Sequence, residues 1–251
     1  MDYYKDKLEI LLKGLMILIL LVTSADAATW TVAPSSGPGI DYTRIQDAIN
    51  AANTGDTIRV NSGTYYENVD AKKRLTLQGK DTGSGLPVVN AGGSDSAITL
   101  SADSCTLQNF MARNSSSGNS GIKVASSYNT ISGNIATNNY YGIDLDSSSG
   151  NTISGNTATG NIGGIDLNSS GSNTISGNTA TGNGIGIVLG SSSSNNDISD
   201  NTVTGNRIGI VLDSSSGNTI SDNSATGNSY GIYIDSSSNN NTVSGNNATG
   251  N

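Results

Sequence analysis

Isoleucine and glycine recur at a fixed phase through the second half of the chain. A Gly-Ile pair returns every 21 to 23 residues, followed each time by a serine run and then by Asn-Thr-Ile-Ser-Gly-Asn and Thr-Gly-Asn stretches with small variations. A period in this range, in a segment rich in glycine and asparagine, predicts that each repeat forms one coil of a β-solenoid. The pairs begin at Gly121, Gly142, Gly164, Gly186, Gly209 and Gly231.

Each repeat contains three short stretches that alternate as half-buried strands do. In the second regular repeat, Ile143 and Leu145 point to one side of a strand, while Asp144 points to the other. The next stretch directs Ile153 inward, and the third offers Ala158. Three strands separated by Ser-Gly and Gly-Asn corners predict a triangular coil. Stacked coils then form parallel sheets with a rise of about 4.8 Å per coil.

The repeats predict which residues form the core and one of its corners. We expect four inward columns and one ladder of asparagines whose side chains bond to one another and to the turn backbone. The columns are Ile122, Ile143, Ile165, Ile187, Ile210 and Ile232; Val124, Leu145, Leu167, Leu189, Leu212 and Ile234; Ile131, Ile153, Ile175, Ile198, Ile220 and Val243; and Ile135 or Ala136, Ala158, Ala180, Val203, Ala225 and Ala248. The ladder is Asn134, Asn156, Asn178, Asn201, Asn223 and Asn246.

The segment before the array carries one helix signal. Thr43 and Gln46 form a capping-box pattern, apolar residues from Ile45 to Ala52 line one face, and Gly55 follows the end. The strand-like stretches that come next provide an apolar surface on which this short helix can dock. We therefore expect the helix to cover the N-terminal end of the solenoid.

These patterns divide the chain into four segments. Residues 1–27 combine early lysines, a short apolar run and an Ala-Asp-Ala end, which predicts a signal peptide cleaved after Ala27. The apolar run is shorter than the roughly 20 residues of a membrane-spanning helix, and no second apolar run follows. Residues 28–40 form an exposed lead-in, residues 41–120 the N-terminal cap and irregular first coils, and residues 121–251 the regular array, continuous with 41–120.

Charge and cysteine content narrow the range of partners. The net charge is −8. From Gly121 onward the sequence contains eight aspartates and only two cationic residues, Lys123 and Arg207. This balance disfavours binding to nucleic acid, which requires a basic surface. The lone Cys105 excludes an internal disulfide, and its apolar neighbours predict a buried thiol.

The array resembles the parallel β-helix (PbH1) repeats of the pectin-lyase-like superfamily, in particular its NosD-type and CASH-type members. Residues 42–52, Gly55–Ile58 and Gly63–Val69 are similar to the N-terminal cap and first coil of that superfamily. The resemblance covers about residues 40 to 251. It implies an all-β, single-stranded, right-handed parallel β-helix of about 22 residues per coil, with a short N-terminal capping helix.

For enzymes of this superfamily, the resemblance implies particular catalytic residues, and this sequence lacks them. The chain has no histidine, no Arg-x-Lys triplet, and no Leu-Gly-Arg-Pro-Trp loop. Arg207 stands alone in the array, so no coil combines acids, a base and a cation. We therefore expect a structural, adhesive or carbohydrate-binding role without catalysis. The alternatives are a polysaccharide lyase, hydrolase or epimerase, and a NosD-like accessory role in copper-site maturation, for which Cys105 and Met111 are the only soft ligands after residue 27.

Two groups of array residues could still bind a ligand. Asp144 and Asp166 should stack one strand apart, which suggests an acid/base pair or a calcium site, although we expect a solvated column. Tyr141, Tyr230 and Tyr233 are the candidates for stacking on sugars, with Tyr140 beside them. We predict no other cofactor and no metal site.

The expected setting is outside the cytoplasm: secreted, at the cell surface or in the periplasm. Glycans and cell-envelope proteins are the expected partners. The last repeat stops in mid-pattern, so its open strand edge predicts end-to-end or edge association with another chain.

Overall fold

A computed structural model describes residues 26–251, so all but the last two residues of the predicted signal peptide lie outside the described residues. The described chain winds through three parallel sheets, A, B and C, and each coil contributes one strand to each sheet in that order. Sheet A contains β1 (Thr29–Val32), β2 (Thr57–Asn61), β5 (Thr76–Lys80), β8 (Thr106–Gln108), β11 (Thr130–Ser132), β14 (Thr152–Ser154), β17 (Thr174–Ser176), β20 (Asp197–Ser199), β23 (Thr219–Ser221) and β26 (Thr242–Ser244).

The other two sheets have eight strands each. Sheet B contains β3 (Thr64–Tyr65), β6 (Val88–Asn90), β9 (Met111–Arg113), β12 (Ile135–Thr137), β15 (Thr157–Thr159), β18 (Thr179–Thr181), β21 (Thr202–Thr204) and β24 (Ser224–Thr226). Sheet C contains β4 (Val69–Ala71), β7 (Ile98–Leu100), β10 (Ser120–Val124), β13 (Tyr141–Asp146), β16 (Gly163–Asn168), β19 (Ile185–Gly190), β22 (Ile208–Leu212) and β25 (Tyr230–Ile234).

The predicted core columns run through the coils in register. Ile143 pairs with Ile165 in sheet C, Ile153 with Ile175 in sheet A, and these side chains have no exposed surface. For the narrow column the sequence left Ile135 and Ala136 as alternatives. The structure places Ala136 in the column, where it is fully buried. The last members of the columns depart from the prediction: Ile234 and Val243 are 41% and 45% exposed, and Ala248 is exposed as well.

Asparagine ladders occupy all three corners of the array, whereas the sequence predicted one. In each ladder the side-chain oxygen of one asparagine accepts from the backbone N–H and the side-chain amide of its counterpart one coil earlier, as Asn178 Oδ1 does from Asn156 at 2.9 and 3.0 Å. The amide of Asn156 also donates to the carbonyl of Ile131. The two additional ladders are Asn129, Asn151, Asn173, Asn196, Asn218 and Asn241, and Asn139, Asn161, Asn183, Asn206, Asn228 and Asn251.

A single helix, α1 (Ile45–Ala51), lies in the described part of the chain and packs its buried residues against β1, β2 and β4. The predicted capping box is wrong. The helix begins at Ile45 with Arg44 as its N-cap, so Thr43 stands one position too early to cap it. The carboxylate of Glu67 caps it instead, accepting from the backbone N–H groups of Ile45 at 2.9 Å and Gln46 at 3.1 Å.

The expected lead-in also contains structure. Residues 29–32 form β1, which pairs in parallel with β2, and Val32 is fully buried. The prediction of an exposed segment holds for Thr29 and is wrong for Trp30, Thr31 and Val32, which are half-buried or buried. The proline and glycine residues that follow do lie in exposed turns.

Candidate ligand-binding face

The outer surfaces of sheets A and B are uniform along the regular array. Each strand presents two outward side chains, and nearly all of them are threonine or serine, as in Thr152 and Ser154 of β14 or Thr157 and Thr159 of β15. Such rows of short hydroxyl side chains vary little from coil to coil.

The outer face of sheet C differs from the other two in chemistry. Two outward columns carry aromatic, aliphatic and charged side chains, and we call these residues the sheet C outer face. The columns are Ser120, Tyr141, Gly163, Ile185, Ile208 and Tyr230, and beside them Lys123, Asp144, Asp166, Val188, Val211 and Tyr233.

The Gly-Ile pair explains how these side chains reach the surface. A Cβ on Gly142 would lie 2.5 Å from the carbonyl oxygen of Gly164 and 3.1 Å from Cβ of Ala158, so Gly142 faces the core. Ile143 also faces the core. Two consecutive inward positions shift the alternation, which places Tyr141 on the outside together with Asp144.

The acidic end of this face is less solvated than the sequence predicted. Asp144 is only 8% exposed, and its Oδ2 accepts a hydrogen bond from the Ser120 hydroxyl at 3.1 Å. Asp166 is its register partner on β16 and is half-buried. Burial raises the pKa of Asp144, and burial together with the Asp144 charge raises the pKa of Asp166 to about 7. The expectation of a solvated column is therefore wrong for these two carboxylates.

The nearest cation is engaged by a third carboxylate. Lys123 Nζ lies 2.9 Å from an oxygen of Asp146, which lowers the pKa of Asp146 and raises that of Lys123. Lys123 also acts on Asp144 at longer range, but burial outweighs that effect. The arrangement thus holds one neutralised ion pair beside two carboxyl groups whose pKa values are both raised.

Tyr141 borders the two carboxyl groups. Its ring meets the ring of Tyr140 edge to face at 4.8 Å and lies over Gly163, where a Cβ would come within 2.9 Å of ring carbon Cδ1. Burial, followed by the charge of Asp166, raises the pKa of the Tyr141 hydroxyl. The phenol therefore remains protonated at neutral pH and can donate a hydrogen bond.

The other end of the face is apolar and aromatic. Tyr230 and Tyr233 are 61% and 50% exposed on β25, next to the side chains of β19 and β22. Four strand spacings of about 4.8 Å separate Tyr141 from Tyr230, so the predicted tyrosines form two ends of a strip about 19 Å long. Sequence reasoning missed the aliphatic centre of the strip, whose residues are Ile185, Val188, Ile208 and Val211.

Other candidate residues fall into structural positions. Cys105 is buried, its Sγ lies 3.3 Å from the carbonyl oxygen of Lys73, and burial raises the pKa of the thiol. Asp200 and Asp222 have φ of +56° and +55°, which places both in left-handed turn positions. Within residues 26–251, no group of three His, Cys, Asp or Glu side chains is placed to hold a metal ion, and no helix is long and apolar enough to cross a membrane.

Comparison with known proteins agrees with the architecture. Residues 89–248 match the family described as right handed beta helix region, and the chain belongs to this family. A search of curated protein sequences found no match.

Solved structures with the same fold include carbohydrate-related proteins. Pectin methylesterase from carrot superposes with a TM-score of 0.60 at 16% identity, covering 91% of this chain and 85% of that one. Pectate lyase Pel9A gives 0.59 at 16% identity, covering 90% and 79%, and XylC in complex with xylose gives 0.64 at 12%, covering 88% and 69%. At these identities the likeness shows the fold alone, a pectin-lyase-like right-handed β-helix. The NosD-type and CASH-type assignments remain predictions.

Proposed function

We propose that this protein is an exported β-helix that binds glycans at the cell surface through the sheet C outer face. One observation carries the proposal: among three flat faces, this one alone replaces rows of threonine and serine with tyrosines, aliphatic side chains and carboxyl groups in register. Aromatic rings that stack on sugars, combined with hydrogen-bonding groups that fix orientation, are a chemistry suited to carbohydrate.

The geometry favours an extended ligand over a single sugar. Tyr230 and Tyr233 offer exposed rings at one end of the strip, and the Tyr141 hydroxyl and the two carboxyl groups offer polar contacts at the other. Each contact is weak, so useful affinity depends on several contacts along the 19 Å strip being made at once. A chain of several sugar units lying across the strands satisfies this requirement.

The charge of the sheet C outer face should determine how strongly a charged glycan binds. Above about pH 7 both Asp144 and Asp166 are ionised, and they repel a polyuronate. Below that pH the pair holds a proton and can donate a hydrogen bond. We therefore expect neutral glycans to bind with little pH dependence, and uronate polymers to bind better as the pH falls.

The test is a glycan-array screen of the mature protein at pH 5.5 and pH 8, with and without calcium, followed by variants. Replacing Tyr230 and Tyr233 by alanine should remove binding. The matched control is Tyr66→Ala, which deletes a side chain 75% exposed on the first coil and should leave binding unchanged. Equal loss in both variants, or a protein that binds isolated cell-envelope proteins and no glycan, would contradict the proposal.

A second candidate function, polysaccharide cleavage or epimerisation, is favoured by the carboxyl pair. Asp144 and Asp166 sit on neighbouring strands, and a carboxyl with a pKa of about 7 suits a general acid or base near neutral pH. Tyr141 provides a neighbouring hydroxyl. Reducing-end and unsaturated-product assays on uronate polymers test this function. Turnover that disappears in Asp166→Asn, with glycan binding retained, would establish it over binding alone.

A further inference from the structure

A carboxylate is buried at the start of the β-helix, and no ion pair between described residues involves it. Asp56 is 3% exposed, and its oxygens accept from the indole N–H of Trp30 at 3.0 Å and from the backbone N–H groups of Asn53 at 2.9 Å and Ala28 at 2.8 Å. These hydrogen bonds hold the pKa of Asp56 below its ordinary value, so the group is ionised at neutral pH.

Among residues 26–251, Asp56 has no partner of opposite charge within salt-bridge distance. None of the ion pairs between described residues involves it. The nearby Lys73 is engaged elsewhere, since its Nζ donates to the carbonyls of Ile49, Asn50 and Ala52 at the end of α1. Hydrogen bonds and the charge of Lys73 already stabilise the ionised carboxylate, and a cation at salt-bridge distance would stabilise it further.

Ala28, one of the three residues that donate a hydrogen bond to Asp56, lies at the predicted signal-cleavage site. Ala28 is the residue that follows the Ala-Asp-Ala cleavage pattern. An open cavity of about 700 Å³ surrounds this point and is lined by residues 26–28, 53–56 and Arg74. Asp26 and Ala27, the two described residues before Ala28, therefore line the same cavity as Asp56.

We propose that Asp56 is the receptor for the new N-terminus that signal cleavage creates at Ala28. A signal peptidase adds water across the Ala27–Ala28 peptide bond. Ala27 leaves as a carboxylate, and the Ala28 nitrogen, previously a neutral amide donor 2.8 Å from Asp56, becomes an ammonium group at the same place. The buried carboxylate then has its cation. This inference rests on export of the chain and is independent of glycan binding.

The docked ammonium should titrate abnormally. Asp56 raises its pKa above the ordinary value of about 8 for an α-amino group, and the charges of Arg74 and Lys73 oppose that effect. Because the folded pKa is the higher one, the stabilisation is complete below pH about 8 and is lost as the pH rises through the folded value. The processed protein is thus more stable than an unprocessed one at neutral pH and loses that advantage in alkali.

The first experiment is the intact mass of the exported product after expression of the full chain in a secreting host. The expected product begins at Ala28. A product that begins at another residue overturns the inference.

The second experiment compares chains that begin at Ala28 with chains that begin at Asp26, each with and without Asp56→Asn. The chain that begins at Ala28 should melt several degrees higher, and Asp56→Asn should remove that difference. Asp41→Asn is the matched control, because Asp41 also accepts a backbone N–H, from Thr31 at 2.7 Å, but in an exposed position; the difference should persist in it. No difference between the two parent chains, or an equal difference in Asp56→Asn, contradicts the proposal.

The third measurement covers the outcome in which Asp56→Asn does not fold. The pKa of the α-amine in the unaltered processed protein is obtained by NMR titration. A value clearly above about 8 supports docking on Asp56, and an ordinary value overturns it.

Discussion

Replacing Asn178 by alanine tests how much the corner ladders contribute to stability. The side chain is 1% exposed and accepts two hydrogen bonds from Asn156. Its two amide N–H groups donate to Ile153, Ser176 and Asn201, so one N–H is shared between two acceptors. Alanine leaves the backbone N–H of Asn156 and the carbonyl of Ile153 without these partners in a buried corner. Each buried group left without a partner costs about 1–3 kcal/mol, so the expected loss is about 2–6 kcal/mol.

The loss should be visible by two methods. For a chain of this size, about 2–4 °C of melting temperature corresponds to each kcal/mol, so Asn178→Ala should melt roughly 10 °C lower. Urea unfolding followed by circular dichroism gives the free energy directly. The control is Asn246→Ala in the same ladder, where the last coil is partly exposed and water can replace the lost bonds to Asn223. If the two variants lose the same free energy, burial of the ladder does not contribute to the stability of the array.

Three further predictions concern the core, the carboxyl pair and the helix cap. Ile165→Asp should unfold the array because it buries an unpaired charge, whereas Val243→Asp, at a position 45% exposed, should only lower the melting temperature; circular dichroism distinguishes the two. Asp166 holds its proton to about pH 7 when folded and to about pH 4 when unfolded, so stability should fall as pH rises between these values, and melting curves of Asp166→Asn should lack that slope. Glu67→Ala should cost about 1–2 kcal/mol in urea unfolding, because the first turn of α1 loses its cap, with Glu67→Gln losing less.

The core could be predicted from the sequence because the sequence repeats. The residue that caps α1 could not, because its hydrogen bonds join segments that are distant along the chain. Ile143 and Ile165 share a buried column because one repeat length returns the chain to the same phase. The cap of α1, in contrast, comes from Glu67, 22 residues beyond Ile45 and outside any repeat. Thr43 and Gln46 have the spacing of a capping box, but helix packing on β1, β2 and β4 sets its start at Ile45.

The candidate face was partly predictable for a similar reason. The outward positions of Asp144 and Tyr233 follow from the register of the repeats. Strict alternation, however, would place Tyr141 inside with Ile143. The inward Gly142 shifts it outward, and that shift depends on the close approach of Gly164 in the next coil. A glycine repeated before every isoleucine was the available signal. The burial of Asp144 under its neighbours had no counterpart in the sequence pattern.

Protection of individual tyrosines from nitration, with and without a bound glycan, tests the central claim that the sheet C outer face is the ligand surface. Tyr66, Tyr128, Tyr230 and Tyr233 are all at least half exposed, so each is reactive in the free protein. We predict that a glycan found in the array screen protects Tyr230 and Tyr233 and leaves Tyr66 and Tyr128 as reactive as before. Protection of Tyr66 or Tyr128 with Tyr230 and Tyr233 unchanged would place the ligand elsewhere and contradict the account.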